Sequence, residues 1–259
     1  MKKILLASLM LLGLVSCDDF LTKDPLTSFQ DDDFWCNENN VRGFAMGYYA
    51  ARFPGYGSGD SGGTMSQRQA LNDDFTNTSL SGFAAAPIVK GGSWGSHLSN
   101  IRRDNIFIDR VERVTEWNEE TANHWRGIAR FFRGYDYATF ASIYKNVPYY
   151  DHELTIDSDD LFRKQDDVFY VMDKVLEDYE FASKNVLVSD TKTGPDGQVI
   201  TQGVVDAFMS RDMLLMGTKL KYDPATTTEQ MEHVAKYLQA AKDAAWRVIS
   251  SNRYSLCPS

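Results

Sequence analysis

The stretch HWRGIARFFRGYDYATFASIY, residues 124–144, decides the fold class. Trp125, Ile128, Ala129 and Phe132 recur at the three- and four-residue spacing of one helix face. Lys145-Asn146-Val147-Pro148 then ends the helix, because proline lacks the N–H and clashes with the preceding turn. Working outward, the same period returns in almost every patterned segment. Asn37–Phe53 aligns Val41, Phe44, Ala45 and Tyr48. Ile101–Val114 aligns Ile101, Ile108 and Val111, with Phe107 and Val114 beside them. Asp167–Ala182 aligns Val168, Val171, Met172, Val175, Tyr179 and Ala182. Helices are also expected over 203–221 and 229–250, the last with Met231, Val234, Leu238, Ala241, Ala245 and Val248 inward and a Thr-rich cap at 226–228. Only short pieces such as Gln198–Thr201 read as extended. The expected fold is mainly α, with successive helices packed in pairs like a TPR array. The strict TPR consensus is absent, so the comparison rests on pairing alone.

Two breaks frame this pattern. Thr193-Gly194-Pro195-Asp196-Gly197 is a strong turn between long helices. Residues 54–93 carry Gly55, Gly57, Gly59, Gly62 and Gly63, then a polar run through Ser81. They read as a long irregular loop, and such loops in compact domains commonly carry function.

Composition excludes several classes. The 259 residues are 43% hydrophobic and 24% charged, and 15 Phe, 13 Tyr and 5 Trp are too many for a disordered chain. The charge is −9, and no cluster of Lys and Arg exists to track phosphates, so nucleic acid is not an expected partner. Three cysteines do not build a disulfide scaffold.

The N-terminus narrows the compartment. Met1-Lys2-Lys3 is positive, and Ile4–Val15 is an apolar run. That run makes about 18 Å of helix, short of a bilayer core of about 30 Å, so residues 1–16 read as a secretory signal. Leu14-Val15-Ser16-Cys17 matches a bacterial lipobox, which makes Cys17 the acylated N-terminus and gives the chain a membrane tether. Removing residues 1–16 takes two of the 27 basic residues and no acidic one, so the charge deepens to −11. Such a protein hangs from a membrane and does not lie flat on anionic headgroups. Residues 17–30, polar and holding Pro25, read as an extended tether ahead of the domain at 31–259. Cys36 and Cys257 could pair in an oxidising compartment, but they stand 221 positions apart and nothing local forces it, so two separate thiols is the preferred reading.

Several catalytic motifs fail on context. Gly57-Ser58-Gly59-Asp60-Ser61-Gly62 fits G-x-G-x-x-G but follows a helix and precedes a loop, where the dinucleotide fingerprint needs a strand and then a helix. Gly59-Asp60-Ser61-Gly62-Gly63 spells a serine-protease nucleophile segment. All four histidines (His97, His124, His152 and His233) follow Ser61, whereas that protease family places its base earlier. No histidine pair or CxxC has metal-ligand spacing, and the Asp31–Asp33 and Asp157–Asp160 runs complete no calcium loop. No catalytic residue, metal ligand or cofactor is expected.

A family resemblance runs through the helices. Asp18-Asp19-Phe20-Leu21 behind the lipid cysteine resembles the start of SusD/RagB-type lipoproteins. Ala129-Arg130-Phe131-Phe132-Arg133-Gly134-Tyr135 resembles that family's RFLRA helix. Ile143-Tyr144-Lys145-Asn146-Val147-Pro148-Tyr149 resembles its YGDVPL exit, with Lys-Asn where Gly-Asp is usual. Trp94, Ile101 and Asn105 resemble a fourth motif, with Leu98 where a Tyr is usual. Asp178–Ala182 and Tyr237–Leu256 resemble two more. The resemblance implies a TPR-like, non-enzymatic lipoprotein of the outer membrane, facing the cell exterior. It would bind glycans or other nutrients and pass them to a SusC-like, TonB-dependent transporter. It also implies that residues 31–259 are the N-terminal portion of a longer helical domain.

Sugar rings stack their C–H faces on aromatics and satisfy their hydroxyls with Asp, Asn or Arg. The resemblance directs attention to Tyr56, Arg68, Asn72, Asp73, Asp74 and Trp94, with Asn72-Asp73-Asp74 similar to the family's S-D-E/D element. Trp94 has a second reading, as an anchor of the following helix to the core. Asn105 reads as a satisfied packing residue, and Arg126, Arg130 and Arg133 as structural ion-pair formers. Two other functions compete: a lipid-anchored glycoside hydrolase, needing two carboxylates across a cleft, and a helical-repeat scaffold for proteins.

Overall fold

Six helices follow one another in the computed structural model, which describes residues 34–53, 93–115, 117–190 and 199–255. They are α1 (Glu38–Arg52), α2 (Trp94–Val111), α3 (Glu119–Tyr144), α4 (Val168–Asn185), α5 (Gln202–Lys221) and α6 (Met231–Ser250). Among the described residues the only β pairing is a single antiparallel bridge, Val147 to Asp166. The expectation of a mainly α, pairwise-packed fold is met. Each of α2 to α5 packs on the next, and α3 also touches α1 and α5. The expected loop at 54–93 lies almost entirely outside the described residues, as do the signal, the lipobox and the tether.

The central helix is the core. Along α3, Ile128, Phe131, Phe132, Tyr137 and Phe140 are all fully buried. Removing one such side chain from water contributes about 1.5–3 kcal/mol. The helix starts six residues before its apolar stripe does: the Asn118 side chain accepts from Thr121 N at 2.8 Å, and Glu119 and Glu120 face the positive end of the macrodipole. Likewise α2 starts at Trp94, a full two turns before Ile101. Its inward side carries Ile101, Phe107 and Val111, while Ile108 is only half-buried.

Lys145 stops α3 in an unusual conformation, φ 66 and ψ −83, at the position where the family pattern has glycine. The chain then bridges Val147 to Asp166, which closes residues 148–165 into a loop. Asn146 Oδ1 accepts from Val168 N (3.1 Å), and Asp167 caps α4 by accepting from Phe169 N (2.9 Å). The threonine cap expected for α6 is not at its N-cap, which is Gln230 and carries no side-chain cap bond; the threonine region instead forms a reciprocal pair in the turn just before the helix. Gln230 N donates to Thr227 Oγ1 at 3.3 Å, and Thr227 N donates to Gln230 Oε1 at 3.0 Å.

Buried polar groups tie the helices together. Tyr179 donates to Asp212 (2.6 Å) and Ser183 to Asp206 (2.7 Å), joining α4 to α5; Arg247 reaches the same Asp206 from α6. On the other side, Tyr48 of α1 stacks on Phe132 at 4.4 Å, and both Nε and Nη2 of Arg52 bind Asp136 Oδ2 at 2.9 and 2.8 Å. Asp104 of α2 is wholly buried 3.8 Å from the same guanidinium. Burial, and then the charge of Asp136, pushes the Asp104 carboxyl well above its ordinary range.

Candidate functional site

The RFFRGYDY stretch builds the site through two of its polar residues. Arg133 is buried and forks onto Asp178, with Nε to Oδ2 at 2.7 Å and Nη2 to Oδ1 at 2.8 Å. Burial alone would lower the guanidinium's proton affinity, but the Asp178 carboxylate reverses that and raises it. Its remaining nitrogen, Nη1, donates to Asn105 Oδ1 (3.2 Å) and to the Asp151 carbonyl (3.3 Å). Asn105 in turn donates to the carbonyls of Tyr150 (2.9 Å) and His152 (3.0 Å). One turn further along α3, Tyr137 Oη accepts from Tyr150 N at 2.6 Å and donates to Tyr150 O at 3.2 Å. These bonds replace the ladder that segment 149–152 lacks, and they hold it beside α2.

A second set of bonds shapes the loop beyond. Ser158 N donates to Thr155 O, Leu161 N to Ser158 O and Arg163 N to Asp160 O, giving three successive turns. Tyr150 Oη donates to Leu161 O at 3.2 Å, and Arg163 to Tyr149 O at 2.9 Å. His152 lies between two carboxylates, with Asp151 at 2.9 Å and Asp160 at 3.6 Å; the Asp151 hydrogen bond foremost raises its pKa. Glu153 is gripped by Arg102 (2.6 Å) and Arg110 (3.0 Å) of α2.

Between α2 and this loop is a cavity of about 430 Å³. Leu98, Ile101, Leu154, Ile156 and Leu161 give it apolar walls, and Tyr150 contributes an aromatic ring. Ser99, Arg102, His152 and Thr155 supply polar groups. An apolar concavity with a few convergent polar groups suits an amphipathic small molecule. Such a surface can take the C–H face of a sugar while the hydroxyls find Arg102, Ser99 and Thr155.

Of the predicted sugar contacts, Trp94 is the one within the described residues. It stands one helical turn before Leu98, at the end of the α2 face that lines the cavity. Its ring is half-buried and packs edge-on against Phe140 (4.7 Å) and Tyr144 (4.9 Å). Its anchoring contacts are therefore real. Tyr56, Arg68, Asn72, Asp73, Asp74 and the lipidation residue Cys17 lie outside the described residues. Asn105 is satisfied on all sides, as expected of a packing residue. Arg126 pairs with Glu112 (2.6 Å) and Arg133 with Asp178, whereas Arg130 stacks on the Phe181 ring at 4.1 Å. Sequence reasoning missed the cavity wall at 150–161, which has no hydrophobic period. The signal that was available is Asn105, an amide on an apolar face, which needs polar partners from elsewhere in the chain.

Comparison with known proteins supplies the context. Residues 64–254 match the SusD-like family model described as starch-binding and associating with the outer membrane. A SusD-like protein of Formosa agariphila is 26% identical over 183 residues, 67% of this chain and 35% of its own length. A SusD-like protein from Bacteroides fragilis superposes with a TM-score of 0.62 at 20% identity, covering 90% of this chain and 42% of that one. A SusD-like carbohydrate-binding protein from Bacteroides vulgatus gives 0.57 at 20% identity, with 84% and 46% covered. The chain thus spans about a third of the curated relative's length and under half of each of these structures.

Proposed function

Since the chain belongs to the SusD-like family, we propose that it binds glycans at the cavity between α2 and residues 150–161, as a surface-exposed, lipid-anchored outer-membrane protein. On this reading Cys17 carries the acyl anchor, and captured ligand passes to a SusC-like, TonB-dependent transporter. Trp94, Tyr56, Arg68, Asn72, Asp73 and Asp74 remain the family-derived candidates for further sugar contacts. The observation that carries the reading is the cavity itself: about 430 Å³, apolar walls, and Arg102, Ser99 and Thr155 in reach of hydroxyls. The relatives are described as binding proteins, which supports capture without chemistry.

Calorimetric titration of the full chain in lipid nanodiscs with maltoheptaose tests the reading. Saturable binding with no new reducing ends is expected. Release of reducing ends would transfer the protein to the hydrolases, and absence of any glycan binding would favour the protein-scaffold reading. Cys17→Ala is expected to move the chain from the membrane fraction to the soluble fraction; persistent membrane association would refute the anchor.

A further inference from the structure

The cavity is not built as an aromatic platform. The flat C–H face of a pyranose stacks best on a flat aromatic ring. Tyr150 brings the only phenol ring to the lining among the described residues, and it is 4% exposed, so it offers a ligand almost no face. What stands open is branched and aliphatic. Leu98, Leu154 and Leu161 are half-buried, and Ile156 is 90% exposed although it lines the cavity. A turn holds Ile156 there: Ser158 N donates to Thr155 O at 3.2 Å, and Thr155 N donates to Ser158 Oγ at 2.9 Å. The polar lining is largely committed to the protein itself. Asn105 is engaged by Arg133 and by two backbone carbonyls, and His152 lies between Asp151 and Asp160. Thr155 Oγ1 is shared with Ser158 Oγ at 3.3 Å, and Arg102 gives Nε to Leu154 O and Nη2 to Glu153. Ser99 Oγ and Arg102 Nη1 keep no hydrogen bond among the described residues and face few competitors for a ligand's hydroxyls.

We infer that the cavity selects sugars bearing methyl groups (acetylated, O-methylated or 6-deoxy residues) over plain hexoses, because its open walls are aliphatic and its free polar groups few. This rests on the glycan-capture reading and sharpens it to a substrate class. A methyl group moved from water onto such a wall is worth about fourfold in affinity, whereas a hydroxyl placed there without a partner is desolvated at a loss.

Cellohexaose and the N-acetylglucosamine hexamer test the inference on the full chain in nanodiscs, since they share ring and linkage and differ by the acetamido group at C2. Calorimetric titration should show the acetylated hexamer binding at least about fourfold more tightly. Ile156→Ser removes an aliphatic wall at a position 90% exposed, where substitution leaves the packing of the fold untouched. It should narrow the gap to within about twofold, chiefly by weakening the acetylated hexamer. A preference that came from the amide's own hydrogen bonds would survive that substitution, so a gap left undiminished in Ile156→Ser overturns selection by this wall. Equal affinity for the two hexamers, or tighter binding of cellohexaose, overturns the selection while capture itself stands. Failure of both hexamers where maltoheptaose binds has the same meaning. Failure of all three to bind overturns capture and selection together.

Discussion

Replacing Arg133 by Met should destabilise the protein by about 3–5 kcal/mol, the range for breaking one partner out of a buried ion pair. The structure gives the reason. Arg133 and Asp178 are 9% and 3% exposed, and the two hydrogen bonds between them are 2.7 and 2.8 Å long. Methionine fills much of the arginine stem's volume, so packing is largely kept, but Asp178 is left charged and buried. Asn105 Oδ1 and the Asp151 carbonyl also lose a donor, which loosens the wall of the cavity. Replacing both members, Arg133→Met with Asp178→Leu, removes the stranded charge and should recover most of the loss, because apolar replacement of a whole buried pair is often nearly neutral. Urea unfolding followed by tryptophan fluorescence measures both changes, read as midpoints at constant m. A loss under about 1 kcal/mol for Arg133→Met, or a double variant as unstable as the two single losses added, would refute the reasoning.

Three other perturbations follow from named geometry. Asp104 has its folded pKa raised above the unfolded value of 3.8, so the native state binds the extra proton and its stabilising share falls as pH rises through the folded value. Asp104→Asn should therefore flatten that decline and be at least as stable as the parent at pH 8; a parallel pH profile in urea unfolding would contradict it. Lys145→Gly should raise stability by about 1 kcal/mol by relieving the φ 66 conformation, although the contact of Lys145 Nζ with Asp223 is lost; a lower urea midpoint would contradict it. A Cβ on Gly127 would stand 2.7 Å from Val186 Cγ2, a buried and stiff side chain. Overpacking of about 1–3 kcal/mol should outweigh the roughly 1 kcal/mol helix gain of Gly127→Ala, and adding Val186→Ala should reverse the loss in thermal melts.

The helical architecture is legible because most helices bury one continuous stripe. The starts of α2 and α3 are not: the first turn of α3 is polar and mostly exposed, and that of α2 buries His97 and half-buries Trp94 around an exposed Gly95-Ser96, which makes no apolar stripe; for α3 the cap at Asn118 and the acidic pair behind it were the better guide. α5 shows where reading helices from apolar spacing weakens. Asp206 and Asp212 point inward to Ser183, Arg247 and Tyr179, while Leu214 and Leu215 face outward at about half exposure. Partners on other helices decide which polar residues are inside, and no local pattern records them. The cavity escapes for the same reason. Its second wall is an aperiodic loop placed by Arg133, Tyr137 and Asn105 from 13 to 47 positions away. By contrast, the Lys-Asn departure at the α3 exit was visible in the sequence, and its consequence is the positive φ at Lys145.

The central claim is that a glycan sits between α2 and the 150–161 loop. Hydrogen–deuterium exchange of the full chain, with and without saturating maltoheptaose, tests it most directly. Slower exchange confined to residues 98–105 and 150–161 is the result predicted here. Saturating ligand that leaves both segments unchanged, with protection elsewhere or nowhere, would contradict the account.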